Sequence, residues 1–144
     1  MTPYLQGMKW TGAILGILLL LGLPAAAETV LVEAGRDATL IEDPDGAWAN
    51  GAGPFLFAGR TSQARNAIRR GLLYFDVAAA LPRRAIVESA ALRLFQSGGN
   101  TGVQELRLQR LLADWGEGSS SSSGGGGAPS GLGDATWLHA FYEP

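Results

Sequence analysis

Arg69, Arg70, Gly71, Leu72, Leu73, Tyr74, Phe75, Asp76 and Val77 form one short run, with Leu81 and Pro82 just beyond it. The run is apolar and aromatic, too short for a capped helix, and bounded by turn residues. Such a run reads as a strand covered on both faces, which commits the chain to a sheet. A charged pair enters it and a single carboxylate leaves it.

The neighbouring segments carry the same signature. Residues 29–33 are β-branched and alternating, and residues 38–42 repeat the pattern after a turn at 35–37. Asp43, Pro44, Asp45 and Gly46 spell a turn, because proline presets an early φ and glycine tolerates a positive one. Residues 50–54 form another turn and 55–59 a third short strand. In residues 85–95, Ala90, Leu92 and Leu94 fall on one face and Ala91, Arg93 and Phe95 on the other. In residues 103–110, Leu106 and Leu108 alternate with Glu105, Arg107 and Gln109, as in a half-solvated antiparallel strand. Helical periodicity is nearly absent; residues 77–81 allow one helical turn before Pro82. The pattern predicts an all-β fold, an antiparallel sandwich. Ser119 to Ser123 and Gly124 to Gly127 are homopolymer runs that bury nothing, so residues 118–133 are expected to be a flexible loop inside the domain. Residues 134–142 are aromatic again. The chain is expected to be cut short at its C-terminus, which would leave the sandwich incomplete.

Residues 1–27 read as a signal peptide: Lys9, an apolar run from Gly12 to Leu23, then Pro24 and three alanines before Glu28. An uncleaved anchor is the alternative, although the run falls short of the roughly 20 apolar residues a bilayer needs. Cleavage predicts a secreted protein, extracellular, periplasmic or on the cell surface, with no stable membrane insertion. Lys9 is the only lysine and the whole chain is formally −2. Losing the leader makes it one unit more negative. That balance excludes a strongly basic nucleic-acid binder. With no cysteine, a disulfide framework and thiolate chemistry are excluded. With one histidine, His139, a poly-histidine zinc site is excluded.

Four groups of residues invite a chemical reading. Guanidinium groups match planar oxygen pairs, so Arg69 and Arg70 could grip a carboxylate or sugar hydroxyls. An internal ion pair of Arg70 with Asp37 or Asp76 accounts equally for those residues and is preferred for Arg70 and Asp76. Arg60, Arg65 and Arg69 are then candidates for an exposed anion-binding face. Trp48, Trp115 and Trp137 are candidate sugar-stacking platforms. Core or loop packing is preferred for Trp115 and Trp137, whereas Trp48 lies in a glycine-rich loop where either reading stands. Glu42, Asp43 and Asp45 offer oxygens to a structural calcium, yet they lack the EF-hand register, and a solvated turn explains them as well. Asp114 and Glu117 resemble a glycosidase carboxylate pair only in their proximity in sequence, and His139 is isolated, so catalysis is not expected.

The ordered set of landmarks resembles the DNRLRE-type domain. This family is related to carbohydrate-binding modules and disaggregatase-associated domains of exported proteins. The landmarks are Gly35, Asp37, Thr39 and Leu40; Asn50 and Gly51 with Phe57 to Thr61; and Arg69 and Arg70 before Leu72, Leu73, Phe75 and Asp76. Leu81 and Pro82 follow, then Ile86, Ala90, Leu92 and Leu94, then residues 111–118 and 133–137. The resemblance covers most of residues 28–142. It implies a jelly-roll sandwich with the run at 69–77 as its central strand, and a secreted, non-catalytic module that binds polysaccharide; since some relatives bind acidic ones, an acidic polysaccharide held on an arginine and tryptophan face is the expected ligand. A structural or adhesive module of a surface protein is the alternative.

Overall fold

The computed structural model describes residues 27–99 and 102–144; apart from Ala27, the expected leader lies outside them. Regular structure is almost all strand: β1 Arg36–Ile41, β2 Trp48–Asn50, β3 Gly59–Arg60, β4 Ile68–Tyr74 and β5 Ala128–Pro129. The helix α1, Val77–Ala80, is a single turn whose N-cap is Asp76, with its carboxylate accepting from the Ala79 N–H. The strands form one antiparallel sheet in the order β3-β4-β1-β2-β5.

β1 is therefore the central strand, and the run that opened the sequence reading is its neighbour, paired with β1 on one side and β3 on the other. The β1–β4 register sets Ala38 opposite Leu72, Leu40 opposite Arg70 and Ile41 opposite Arg69. Directly opposed side chains of an antiparallel pair share a face, and the face alternates residue by residue. One face thus carries Ala38, Leu40, Arg70 and Leu72; the other carries Thr39, Ile41, Arg69 and Gly71, joined by Trp48 and Asn50 of β2.

The first face holds the apolar core: Ala38, Leu72, Trp115 and Ala135, with Leu40 against them. Trp115 is only 6 % exposed, as the packing reading required. Arg36 pins its loop. The Arg36 guanidinium lies 4.7 Å from the Tyr74 ring centre and 5.0 Å from that of Trp115. It also donates to the Trp115 carbonyl at 2.6 Å and to Asp114 at 2.9 Å. A guanidinium between two aromatic faces adds cation–π attraction to the hydrogen bonds.

The second face is polar but satisfied. The Thr39 hydroxyl accepts from the Phe57 N–H at 2.9 Å. The Asn50 amide accepts from Ser122 N–H at 2.8 Å and donates to the Phe55 carbonyl at 3.3 Å. Among the described residues no buried side-chain nitrogen or oxygen lacks a partner, as a stable interior requires.

The turn after β1 forms as its sequence predicts. The Asp43 carboxylate accepts from the Ala47 N–H at 2.7 Å, and Gly46 sits at φ +64°. The Ser/Gly tract departs from expectation. Instead of a free loop it is a docked connection. Ser120 is buried and its carbonyl accepts from both Gly51 and Ala52 N–H. The tract then delivers β5, which pairs with β2. Serine and glycine bury little apolar area, so backbone hydrogen bonds fix this segment in place of a hydrophobic contact.

The expected strands at 29–33, 85–95 and 103–110 do not form. No regular structure occurs at 85–99 or 102–112, and Phe95 is 93 % exposed. Alternation prepares a strand, but its backbone groups need a partner edge. The two edges of this sheet, β3 and β5, are two residues long each and offer almost no ladder. What is observed is one antiparallel sheet rather than a pair of stacked sheets.

Candidate functional site

A depression of about 360 Å³ opens on the polar face of the sheet. The end of β1 supplies Ile41, Glu42 and Asp43, and the start of β2 supplies Trp48. The β3–β4 loop supplies Gln63 and Asn66, β4 supplies Arg69, and the Ser/Gly tract closes the rim with Gly126 and Gly127. It sets one aromatic side chain beside a few polar groups in an open depression. Trp48 is 42 % exposed, unlike the buried Trp115.

Arg69 stands at the base of this wall, and its placement corrects the sequence reading. It is only 5 % exposed, so it is no part of an open anion-binding face. Its guanidinium donates to the carbonyls of Gly125, of Asn66 at 2.7 Å and of Ile68 at 2.9 Å, and to the Gln63 side-chain oxygen at 3.2 Å. A guanidinium has five N–H donors and no acceptor, so the larger part of its capacity holds loop backbone. Burial lowers the Arg69 pKa from its ordinary value, and the nearby Glu42 charge opposes that shift. Because Arg69 only donates, the Gln63 amide must present its oxygen to Arg69 and keep its NH2 for other partners.

Arg70 takes the opposite face. It is exposed and lies over the Trp137 ring at 4.4 Å. The internal ion pair expected of Arg70 and Asp76 is absent: among the described residues the ion pairs are Arg36–Asp114 and Arg107–Glu105. Strand alternation guarantees that Arg69 and Arg70 separate, and only the layer stacked on each face decides which is buried. Arg60 on β3 and Arg65 in the following loop are exposed and do not line the depression.

Glu42 and Asp43 do line it, and each has one oxygen engaged. Glu42 accepts from the Ile68 N–H at 2.9 Å, and Asp43 from Ala47 N–H. Asp45 is exposed in the turn and outside the depression, so the three acids expected to hold calcium are not gathered there. Among the described residues no three His, Cys, Asp or Glu side chains converge where a metal ion could be held.

Asp114 and Glu117 are tied to the scaffold, the first by Arg36 and the second by the Asp37 N–H at 2.9 Å. The hydrogen bond from Arg36 holds the Asp114 carboxyl below the usual carboxylate value. Asp37 shifts the other way, raised by burial and then by the Glu117 charge. A carboxyl raised in the folded state contributes stability below its unfolded value of 3.8 and loses it as pH climbs through the folded one. Asp37→Asn is therefore expected to gain stability over the parent at neutral pH and to show no gain below that value, as read by urea midpoints across pH. His139 packs against Thr136. The Thr136 hydroxyl accepts from the Leu138 N–H at 3.2 Å and the His139 N–H at 3.1 Å, and it lies 3.0 Å from His139 Nδ1.

Sequence reasoning missed Asp134, Gln63, Asn66 and the glycine rim. Asp134 carried a readable signal, since it is the first carboxylate after a serine and glycine tract whose N–H groups need acceptors. Gln63 and Asn66 carried none, because nothing local ties them to Trp48. Comparison with protein-family models, curated proteins and solved structures finds no match to this chain.

Proposed function

We propose that the chain is a secreted, non-catalytic carbohydrate-binding module, with its ligand seated in the depression beside Trp48. One observation carries this reading: an exposed tryptophan stands at the edge of a concavity that also holds the Glu42 and Asp43 carboxylates, the Gln63 and Asn66 amides, Arg69, Ile41 and two glycines. An aromatic face covers the C–H face of a pyranose ring, and planar polar groups engage its hydroxyls. In this reading the domain is a DNRLRE-type jelly-roll sandwich. The formal charge of −2 agrees with a glycan rather than a nucleic-acid partner. Among the described residues no helix is long and apolar enough to cross a membrane.

Trp48→Ala tests the proposal. Calorimetry against a panel of soluble polysaccharides should show binding by the parent and a loss of about tenfold or more in the variant, as for an anchor residue at the centre of a contact. The melting temperature should stay within a few degrees, because the Trp48 side chain is exposed. Parent and variant behaving alike would remove Trp48 from the site. The alternative, a structural or adhesive module, draws on the row of exposed apolar side chains at 85–112. It predicts that Trp48→Ala and Arg60→Ala together leave every binding measurement unchanged.

A further inference from the structure

The charges around the depression bear on which sugars it takes. Its ionisable lining groups are Glu42, Asp43 and Arg69, two negative and one positive. The positive one is buried and committed to three carbonyls and the Gln63 oxygen. Each negative one keeps an oxygen that takes no hydrogen bond from a described residue, on the half-buried Glu42 and on Asp43, which is buried at 8 % exposure but lines the depression. Carboxylate oxygens only accept, and sugar hydroxyls are donors that suit them, whereas a second carboxylate or a sulfate brings no proton and adds repulsion. The Gln63 NH2 and the Asn66 amide complete the set with donors able to reach ring or hydroxyl oxygens.

We infer that the depression selects a neutral sugar, with hydroxyls donating to Glu42 and Asp43 and a ring face on Trp48, and rejects uronic-acid and sulfated sugars. This inference rests on the carbohydrate-binding reading and narrows it. It also reverses the ligand charge that an arginine-built face would choose.

The experiment is calorimetry on the full chain with two sets of soluble oligosaccharides. The neutral set is gluco-, xylo- and manno-oligosaccharides; the anionic set is oligogalacturonate and a sulfated chondroitin fragment. Each is measured at low and at high salt. At least one neutral ligand should bind about tenfold or more tighter than either anionic one, with little dependence on salt. Glu42→Gln keeps an oxygen for the Ile68 N–H while removing the charge, and it should narrow that preference by weakening the neutral ligand and admitting the anionic one. Asp43→Asn gives a second measurement with the same expected direction. Tighter binding of an anionic sugar, weakening as salt rises, would overturn the inference and leave the carbohydrate reading standing. A neutral preference unchanged in both variants would overturn it as well, by removing the two carboxylates from the contact. Binding of neither set would overturn both readings together.

Discussion

Asp134→Ala is expected to unfold the Ser/Gly tract and lower global stability by about 3–5 kcal/mol. Asp134 is 0 % exposed. One carboxylate oxygen accepts from Ser119 N–H at 2.9 Å and Ser120 N–H at 3.2 Å; the other accepts from Gly131 N–H at 2.7 Å. Alanine removes both acceptor oxygens and all three hydrogen bonds at once. A buried amide left without a partner costs roughly 1–3 kcal/mol, and at the part-exposed ends of this loop water recovers some of that loss. Small domains have about 5–15 kcal/mol in all, so the variant should be marginal. Asp134→Asn is the informative companion. Its oxygen can serve Ser119 and Ser120, but its NH2 then faces the Gly131 N–H, donor against donor. Its urea midpoint should fall between parent and alanine variant. A loss under about 1 kcal/mol for the alanine variant would show that the tract is held by something else.

The second large effect is expected at Gly51. A Cβ there would lie 1.6 Å from the Glu117 carbonyl oxygen and 2.7 Å from its carbon. Both are backbone atoms, so no rotamer change relieves the overlap. Gly51 also donates its N–H to the Ser120 carbonyl at 3.0 Å, which fixes the two segments face to face. Gly51→Ala must separate β2 from the segment running through Glu117 to Ser120, and a loss of about 3 kcal/mol or more is expected, the range of severe overpacking. Gly126→Ala supplies the control. Nothing lies within 4 Å of a Cβ at that position and its φ is not positive, so it should stay within about 0.5 kcal/mol of the parent. Equal melting temperatures for the two variants would refute the close approach at Gly51. Because the tract also carries the Gly126 and Gly127 rim, the proposed function predicts that both Asp134→Ala and Gly51→Ala weaken sugar binding without altering a side chain that lines the depression.

Local signals served best where one segment contains its own partner. The turn at Asp43 to Gly46 formed as read, since Asp43 caps a backbone group four residues on and Gly46 tolerates a positive φ. The helical turn before Pro82 closed on Asp76 for the same reason. β1 and β4 appeared within two or three residues of their expected bounds. Trp115 went to the core, as a tryptophan behind two leucines tends to do.

Arg69 and Arg70 mark the limit of that reasoning. Adjacent residues on a strand must face opposite ways, so the sequence determined that one arginine would enter each layer. Which layer was closed depended on where the Ser/Gly tract returned, more than fifty positions downstream. That tract brought the Gly125 carbonyl to Arg69 and the Gly126 and Gly127 rim to Trp48. The same division governs the strands. Residues 85–95 and 103–110 have the period of a strand by themselves, a property of side-chain alternation alone. A ladder is a property of two backbones, and the short edges of β3 and β5 supply no second one. The sequence by itself determined periodicity, turn chemistry, the sign of the net charge and the absence of thiol chemistry. The tertiary structure alone decided which polar groups are satisfied and which remain open around Trp48, because hydrogen-bond partners remote in sequence become neighbours only in the fold.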